Sequence, residues 1–327
     1  MALKGFSAAA LSGAVCVPAD PDIWAGGNVS IKANNIDGYR VRVCAPIGAM
    51  DPRWKFADCD GAIEADGPAG TAVSQTIAST IETGLLGDDG QPRFQRVADP
   101  DNAAKKCFLL NRKIGDDPAN KRTELSYSPT LQPIPRAKVC WIGFGLRLPS
   151  EWKSASVGDE VMIFQVHETT DVGDDIQEAP LGMIISGGGS ATPQNAFQTM
   201  WVRHNPDFVT LESGTEQETI FHETDPPTDK WQFWVVKMVS YWNNSQSPYV
   251  KAWRKVAGEG MVQVVDYTGP NTYNNTPLDF VKSGLYYYDD LWTGGVTSKT
   301  MHHKGIFLWH DYPELTAESI IEYLEEI

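Results

Sequence analysis

The chain has 327 residues, 42% of them hydrophobic and 21% charged, enough to bury a sizeable core and too apolar for a disordered chain. Forty-two acidic against 27 basic residues leave a formal charge of −15, which argues against nucleic acid as a partner because phosphate binding needs a basic surface. No run approaches the roughly 20 apolar residues of a membrane span.

Residues 1–35 are small, Gly- and Pro-containing and weakly patterned, and read as an N-terminal arm. Within it, Met1 to Val17 has a lysine followed by a small-residue stretch similar to a weak signal peptide. That stretch is poor in Leu, Ile and Val, so cleavage is not expected, and an extracellular or virion-associated setting is the favoured location. Tyr39 to Cys44 alternates cleanly and predicts a first strand. Residues 45–105 are rich in Gly, Asp, Pro and Ala, with one helix expected near 72–86. Asp58-Cys59-Asp60-Gly61 reads as a turn, with a structural calcium as the minority reading, because the other ligands of a calcium loop are missing. No cofactor is required by anything in the sequence. The five cysteines (Cys16, Cys44, Cys59, Cys107, Cys140) form no CxxC pair and have no zinc-type histidine spacing. Free buried thiols are expected, with a bridge among Cys44, Cys59 and Cys107 left open.

From Cys107 onward short strands follow one another between turn residues. The expected strands are Arg122–Tyr127, Cys140–Leu148, Val161–His167, Leu181–Ile185, Thr199–His204, Trp231–Val239, Tyr249–Val256, Gly284–Tyr288 and Gly305–His310. Gly187-Gly-Gly189, Asp225-Pro-Pro227, Gly258-Glu-Gly260 and Gly294-Gly295 supply the turn chemistry. Many short strands with no helices between them predict an all-β, antiparallel jelly-roll sandwich, concanavalin-like, over residues 36–312. His302-His303 reads as a loop. Residues 313–327 predict a short amphipathic helix, with Thr316 as N-cap and Ala317, Ile320, Ile321 and Leu324 as the apolar stripe. Such a helix docks on its own domain in most proteins; binding a protein partner is the lesser alternative.

Chemistry is expected where strands carry polar residues on one face. In Val161–His167, alternation sets Met162, Phe164 and Val166 on a core face and Gln165 with His167 on an open one. Arg122, Glu124 and Ser126 share a face, as do Lys282, Gly284, Tyr286 and Tyr288. Collected on one concave sheet, these residues would surround a groove with Arg, Lys, Gln, His and Tyr. Trp201 with Arg203, and Lys251 with Trp253, are aromatic–basic pairs suited to sugar rings and carboxylates, and are expected to line the same groove. The plain alternative is an exposed ion-pair ladder at Arg122 and Glu124 and solubilising residues at Lys282 and Tyr286.

Arg122-Thr-Glu-Leu125, Gln165-Val-His167 and Lys282-Ser-Gly-Leu-Tyr286 resemble, in order and spacing, the three signature segments of jelly-roll polysaccharide lyases. The alginate lyases carry R-[ST]-E-[LV]-R, Q-[IV]-H and Y-F-K-A-G-x-Y-N-Q; glucuronan and heparin lyases keep looser versions. In this chain Ser126 replaces the second arginine, Tyr288 the terminal glutamine and Phe280-Val281 the Tyr-Phe pair, departures that bear on alginate as substrate more than on lyase chemistry. The resemblance implies β-elimination on a uronate-containing anionic polysaccharide. It implies Arg122, Gln165 and His167 on the substrate carboxylate, and Tyr286 as proton acceptor and donor, with His167 the alternative base. A tyrosine base needs neighbouring cations, and Arg122 and Lys282 are the candidates. The reading of a different class is a non-catalytic carbohydrate-binding or structural jelly roll, such as a virion or cell-surface component.

Overall fold

In the computed structural model the described residues are 97–326, except 114–121, 128–133, 135, 155–159, 169–177, 188–195, 206–214, 276–278, 288–297 and 311–314. The strand segments 31–32, 40–43, 61–65, 85–86 and 92–96 are described as well. Seventeen strands are seen among these residues: β1 (Ile31–Lys32), β2 (Arg40–Val43), β3 (Gly61–Ala65), β4 (Leu85–Leu86), β5 (Pro92–Ala98), β6 (Lys106–Lys113), β7 (Arg122–Tyr127), β8 (Val139–Arg147), β9 (Glu160–His167), β10 (Leu181–Ser186), β11 (Phe197–His204), β12 (Glu216–Thr224), β13 (Trp231–Val239), β14 (Tyr249–Val256), β15 (Met261–Thr268), β16 (Phe280–Tyr287) and β17 (Ser298–His310). One helix, α1 (Ala317–Glu326), follows.

The strands form two antiparallel sheets of a jelly-roll sandwich. One is ten-stranded, ordered β15-β14-β13-β8-β17-β6-β5-β4 with β2 and β1 joined to β17; the other is seven-stranded, ordered β12-β11-β10-β9-β16-β7-β3. Alternating residues of facing strands fill the space between them. Phe144 of β8 stacks on Phe164 of β9 with ring centroids 4.6 Å apart, and Trp234 of β13 lies 6.5 Å from Phe144. Stacked and edge-on aromatic pairs add to the apolar area buried here. At one edge, the side chain of Arg254 (β14) holds Glu223 (β12) through Nη2, 2.7 Å from Oε1, and so ties one sheet to the other.

Several expectations are corrected. His302 and His303 lie in β17 rather than a loop, and His303 is fully buried. The backbone N–H of Gly305 donates to its Nδ1 at 2.9 Å, so the proton sits on Nε2, which faces Ser283 Oγ at 2.8 Å. Burial pushes this imidazole down to about 3, leaving a neutral core histidine. Leu85 and Leu86, inside the expected helix, are strand; the remainder of that stretch, like the turn at residues 58–60, lies outside the described residues. β12 and β15, at the ends of the two sheets, carry no clean alternation in sequence and were not foreseen, for neither has a face that is buried along its length. Cys107 and Cys140 are buried in the core.

The tail matches its pattern. The N–H of Ser319 donates to Thr316 Oγ1 at 3.2 Å, which caps α1, and Ala317, Ile320, Ile321, Tyr323 and Leu324 are buried. The helix packs on the outer face of β13 and β8. Lys255 holds Glu325 at 2.6 Å, and Lys105 Nζ donates to the carbonyl of Glu325 at 3.0 Å, placing a cation at the negative end of the helix.

Candidate active site

The three polar strand segments are neighbours. β7, β16 and β9 lie side by side in the seven-stranded sheet. Arg122 is paired with Tyr286, Glu124 with Gly284, and Ser126 with Lys282, while on the other side Lys282 is paired with Gln165 and Phe280 with His167. Directly opposed residues share a face, so Arg122, Glu124, Lys282, Tyr286, Gln165 and His167 all belong to the outer face of this sheet. The row continues from Gln165 through Gly182 to Trp201.

Met162 breaks the alternation expected for β9. A β-bulge at Ile163 shifts the register against β10, so Met162 opposes Ile184 and, on the other side, Tyr286. Met162 therefore packs with Trp201, Ala179, Ile184 and Tyr286 on the outer face, while Ile163 and Phe164 both enter the core.

The polar floor is not the open face that alternation alone suggests. Glu124 and Gln165 are buried, and Lys282 is 5% exposed. Gln165 Nε2 donates to Glu124 Oε1 at 2.7 Å, which fixes which end of the carboxamide is donor and which is acceptor. Lys282 Nζ stands 5.0 Å from the centroid of the Phe280 ring, and that ring lies 5.5 Å from the imidazole of His167. His167 and Tyr286 are the half-buried members of the group. The Nδ1 of His167 is 2.7 Å from the carbonyl oxygen of Glu168. A carbonyl only accepts, so Nδ1 carries a proton and, in the neutral ring, Nε2 carries the lone pair.

The flanking pairs divide. A Cβ at Gly182 would lie 2.5 Å from Trp201 Cζ2, so only glycine lets the indole lie across this row. Arg203 sits over the Trp201 ring at 5.4 Å, donates through Nε to Gln217 Oε1 at 2.6 Å and pairs with Glu178. Lys251 and Trp253 are elsewhere: they belong to β14 of the other sheet, on its outer face, and do not line this groove. Each strand has the right alternation, but alternation does not say which sheet a strand joins. Tyr288 lies outside the described residues.

Beside the groove is a buried ionic cluster not foreseen from the sequence. Glu168, next to His167, and Asp279, next to Phe280, both lie 3.1 Å from Arg136 Nη2 and are almost fully buried. Asn275 Nδ2 donates to Glu168 Oε1 at 2.9 Å, Thr272 Oγ1 to its Oε2 at 3.2 Å, and Ser240 Oγ to Asp279 Oδ2 at 2.8 Å. Burial, then the Asp279 charge, push the Glu168 carboxyl up to about 8, against the opposing pull of Arg136. Tyr273, buried near Arg203 and Glu168, is raised too, chiefly by burial. An acidic residue next to the end of two signature strands was the available signal.

The polysaccharide lyase family model matches residues 74–311, a span that contains every residue of this groove. The chain belongs to the polysaccharide lyases. Similar solved structures include an endo-β-1,4-glucuronan lyase from Trichoderma reesei, 13% identical, covering 66% of this chain and 85% of that one at a TM-score of 0.48. An alginate lyase of polysaccharide lyase family 7 is 12% identical, covering 76% and 94% at 0.45. A β-glucanase catalytic domain from Podospora anserina is 13% identical, covering 68% and 78% at 0.44. At these scores the likenesses carry no argument about chemistry. No curated protein matches the sequence. Among the described residues of this lyase there is no group of three His, Cys, Asp or Glu side chains able to hold a metal, and no helix long and apolar enough to cross a membrane.

Proposed function

We propose that this polysaccharide lyase cleaves a uronate-containing anionic polysaccharide by β-elimination. The observation that carries the reading is the strand register: Arg122 opposite Tyr286, and Lys282 opposite Gln165, with His167 at the end of the same row of strands.

The C5 proton of a uronate is too weakly acidic to leave while its carboxylate keeps a full negative charge. Arg122, Gln165 and, when its ring is doubly protonated, His167 bind that carboxylate, and the charge that develops on it is stabilised by their hydrogen bonds. Tyr286 takes the C5 proton, the electron pair forms the C4=C5 double bond, and the C4–O glycosidic bond breaks. The leaving oxygen takes its proton from the same phenol. The lone pair on His167 Nε2 is the second base available, for a substrate whose C5 hydrogen lies on the opposite side. Glu124 is buried under Gln165 and acts by holding the carboxamide; Lys282 adds positive charge to the row, and Trp201 with Arg203 flanks it. No cofactor enters these steps.

The test is a panel of alginate, glucuronan, heparin-type and hyaluronan polymers, followed by the ultraviolet absorbance of the unsaturated product. The wild-type chain is expected to release such product from at least one polymer, and Tyr286→Phe to lose at least about 100-fold in rate, the usual scale of general acid–base help. Equal release by the two proteins would mean that the Tyr286 phenol neither takes nor gives the proton.

A further inference from the structure

We infer that the outer face of the ten-stranded sheet carries a second site for carboxylated sugars, on the opposite side of the sandwich from the groove. The proposal rests on the polysaccharide reading above for the chemistry of its ligand. The site is a cavity of about 750 Å³ between the start of α1 and strands β8, β13, β14 and β15, lined by Trp141, Lys237, Tyr249, Lys251, Trp253 and Glu318 among others. Small-molecule clefts span about 300–1,000 Å³.

Its wall is a cross-strand row. Trp141 is paired with Lys237, Lys237 with Lys251, and Lys251 with Asp266. Two ammonium groups directly opposite each other on neighbouring strands repel, an arrangement that sheets ordinarily avoid. Lys251 is held by Asp266 at 3.1 Å. Lys237 has no carboxylate partner among the described residues and stands 4.4 Å from the centroid of the Trp141 ring. Burial, and then the charge on Lys251, lower its affinity for its proton. An anion placed between the two would offset the repulsion.

Aromatic surface lies beside the charge. Trp141 is 4% exposed and stacks against the half-buried Trp253, with centroids 5.9 Å apart and rings inclined by 27°. With Trp141 covered behind it, Trp253 is the indole open to a ligand: the C–H face of a uronate packs on that ring, and the carboxylate pairs with lysine. The N-terminal end of α1 adds the positive end of a helix dipole, which Glu318 on the rim partly offsets. In a chain of charge −15 Lys237 is the cation of this row with no carboxylate within salt-bridge distance among the described residues, and so is the one left to pair with a carboxylate from outside.

The test uses the full chain carrying Tyr286→Phe, so that polymer is not consumed, in affinity electrophoresis through gels containing glucuronan, alginate or their carboxyl-reduced forms. The charged polymers are expected to retard the chain. Lys237→Gln combined with Lys251→Gln is expected to weaken that retardation about tenfold, as losing charge-assisted contacts would, and Lys237→Arg to preserve it. Carboxyl-reduced polymer should give the double variant and its parent the same mobility. Equal retardation of the double variant and its parent by charged polymer overturns the site. The same lysine changes in the otherwise wild-type chain are expected to leave kcat/KM on a trisaccharide unchanged; a loss there as large as the loss in binding would mean that the effect comes from the groove or the fold, and overturns the site as well. A wild-type chain that cleaves none of the polymers removes the lyase reading separately, and the electrophoresis still decides whether the lysines bind a carboxylated sugar.

Discussion

Glu168 and Asp279 share one guanidinium, and burial raises both carboxyls above their ordinary range. Asp279 faces Arg136 and Ser240; Glu168 faces Arg136, Thr272 and Asn275 together with the Asp279 charge. With an ordinary value of 4.5 and a folded value of about 8, Glu168 takes up a proton on folding between those pH values. Its contribution to stability is therefore complete below about 4.5 and is lost as pH rises through about 8. Glu168→Gln places a neutral amide where a neutral acid already stands. The variant should unfold in urea close to the wild type at about pH 4 and be increasingly the more stable of the two as pH rises to about 8. Asp279→Asn instead removes one of the two carboxyls beside the buried Arg136, a loss of up to roughly 3 kcal/mol at pH 6, and takes away the charge that helps hold the proton on Glu168. The reverse ranking at pH 6 would show that the proton is on Asp279. Because the Glu168 carbonyl accepts from His167 Nδ1, the pH profile of activity should also move in these variants.

Among the elements, β16 is the one whose shape is set by a single position. Gly284 has φ of 156°, and a Cβ there would lie 2.3 Å from the carbonyl oxygen of Thr123 and 2.5 Å from the Cα of Glu124. Both atoms are backbone of β7 and cannot swing aside. Gly284→Ala is expected to cost about 1–3 kcal/mol in backbone strain alone and to part β16 from β7, so that Tyr286 no longer lies opposite Arg122. Thermal unfolding should show the loss of stability, and activity should fall further than stability does. An alanine variant with wild-type melting and turnover would mean that the two strands need not approach so closely. The bulge in β9 does comparable work from the other side, since it turns Met162 outward under Tyr286.

At the scale of the whole molecule, a charge of −15 meets a substrate that is itself a polyanion. At about 0.01 M salt the Debye length is near 30 Å and approaching polymer feels most of the protein; at about 0.1 M it is near 10 Å and only the groove and its rim count. The value of kcat/KM on polymer should accordingly rise between these salt concentrations, and rise less on a trisaccharide. A fall with salt would mean that the cations of the groove dominate the field even at long range.

Alternation along each strand was enough to give the sandwich and the faces shared by Arg122 with Glu124 and by Lys282 with Tyr286, because side-chain direction in a strand has a period of two and depends on nothing else nearby. The N-cap at Thr316 was legible for a similar reason, since a cap is a contact within one turn. Three signature segments in order were enough to bring the family into view. Other features were decided only by tertiary structure. Lys251 and Trp253 have the alternation of a groove strand, yet β14 pairs with β13 and β15 in the other sheet. Gln165 and Glu124 read as open-face residues but are buried against each other. Glu168 and Asp279 reach Arg136 from 32 and 143 residues away in the chain. Partner choice between strands depends on how all seventeen of them fit at once, and a local pattern carries no record of that.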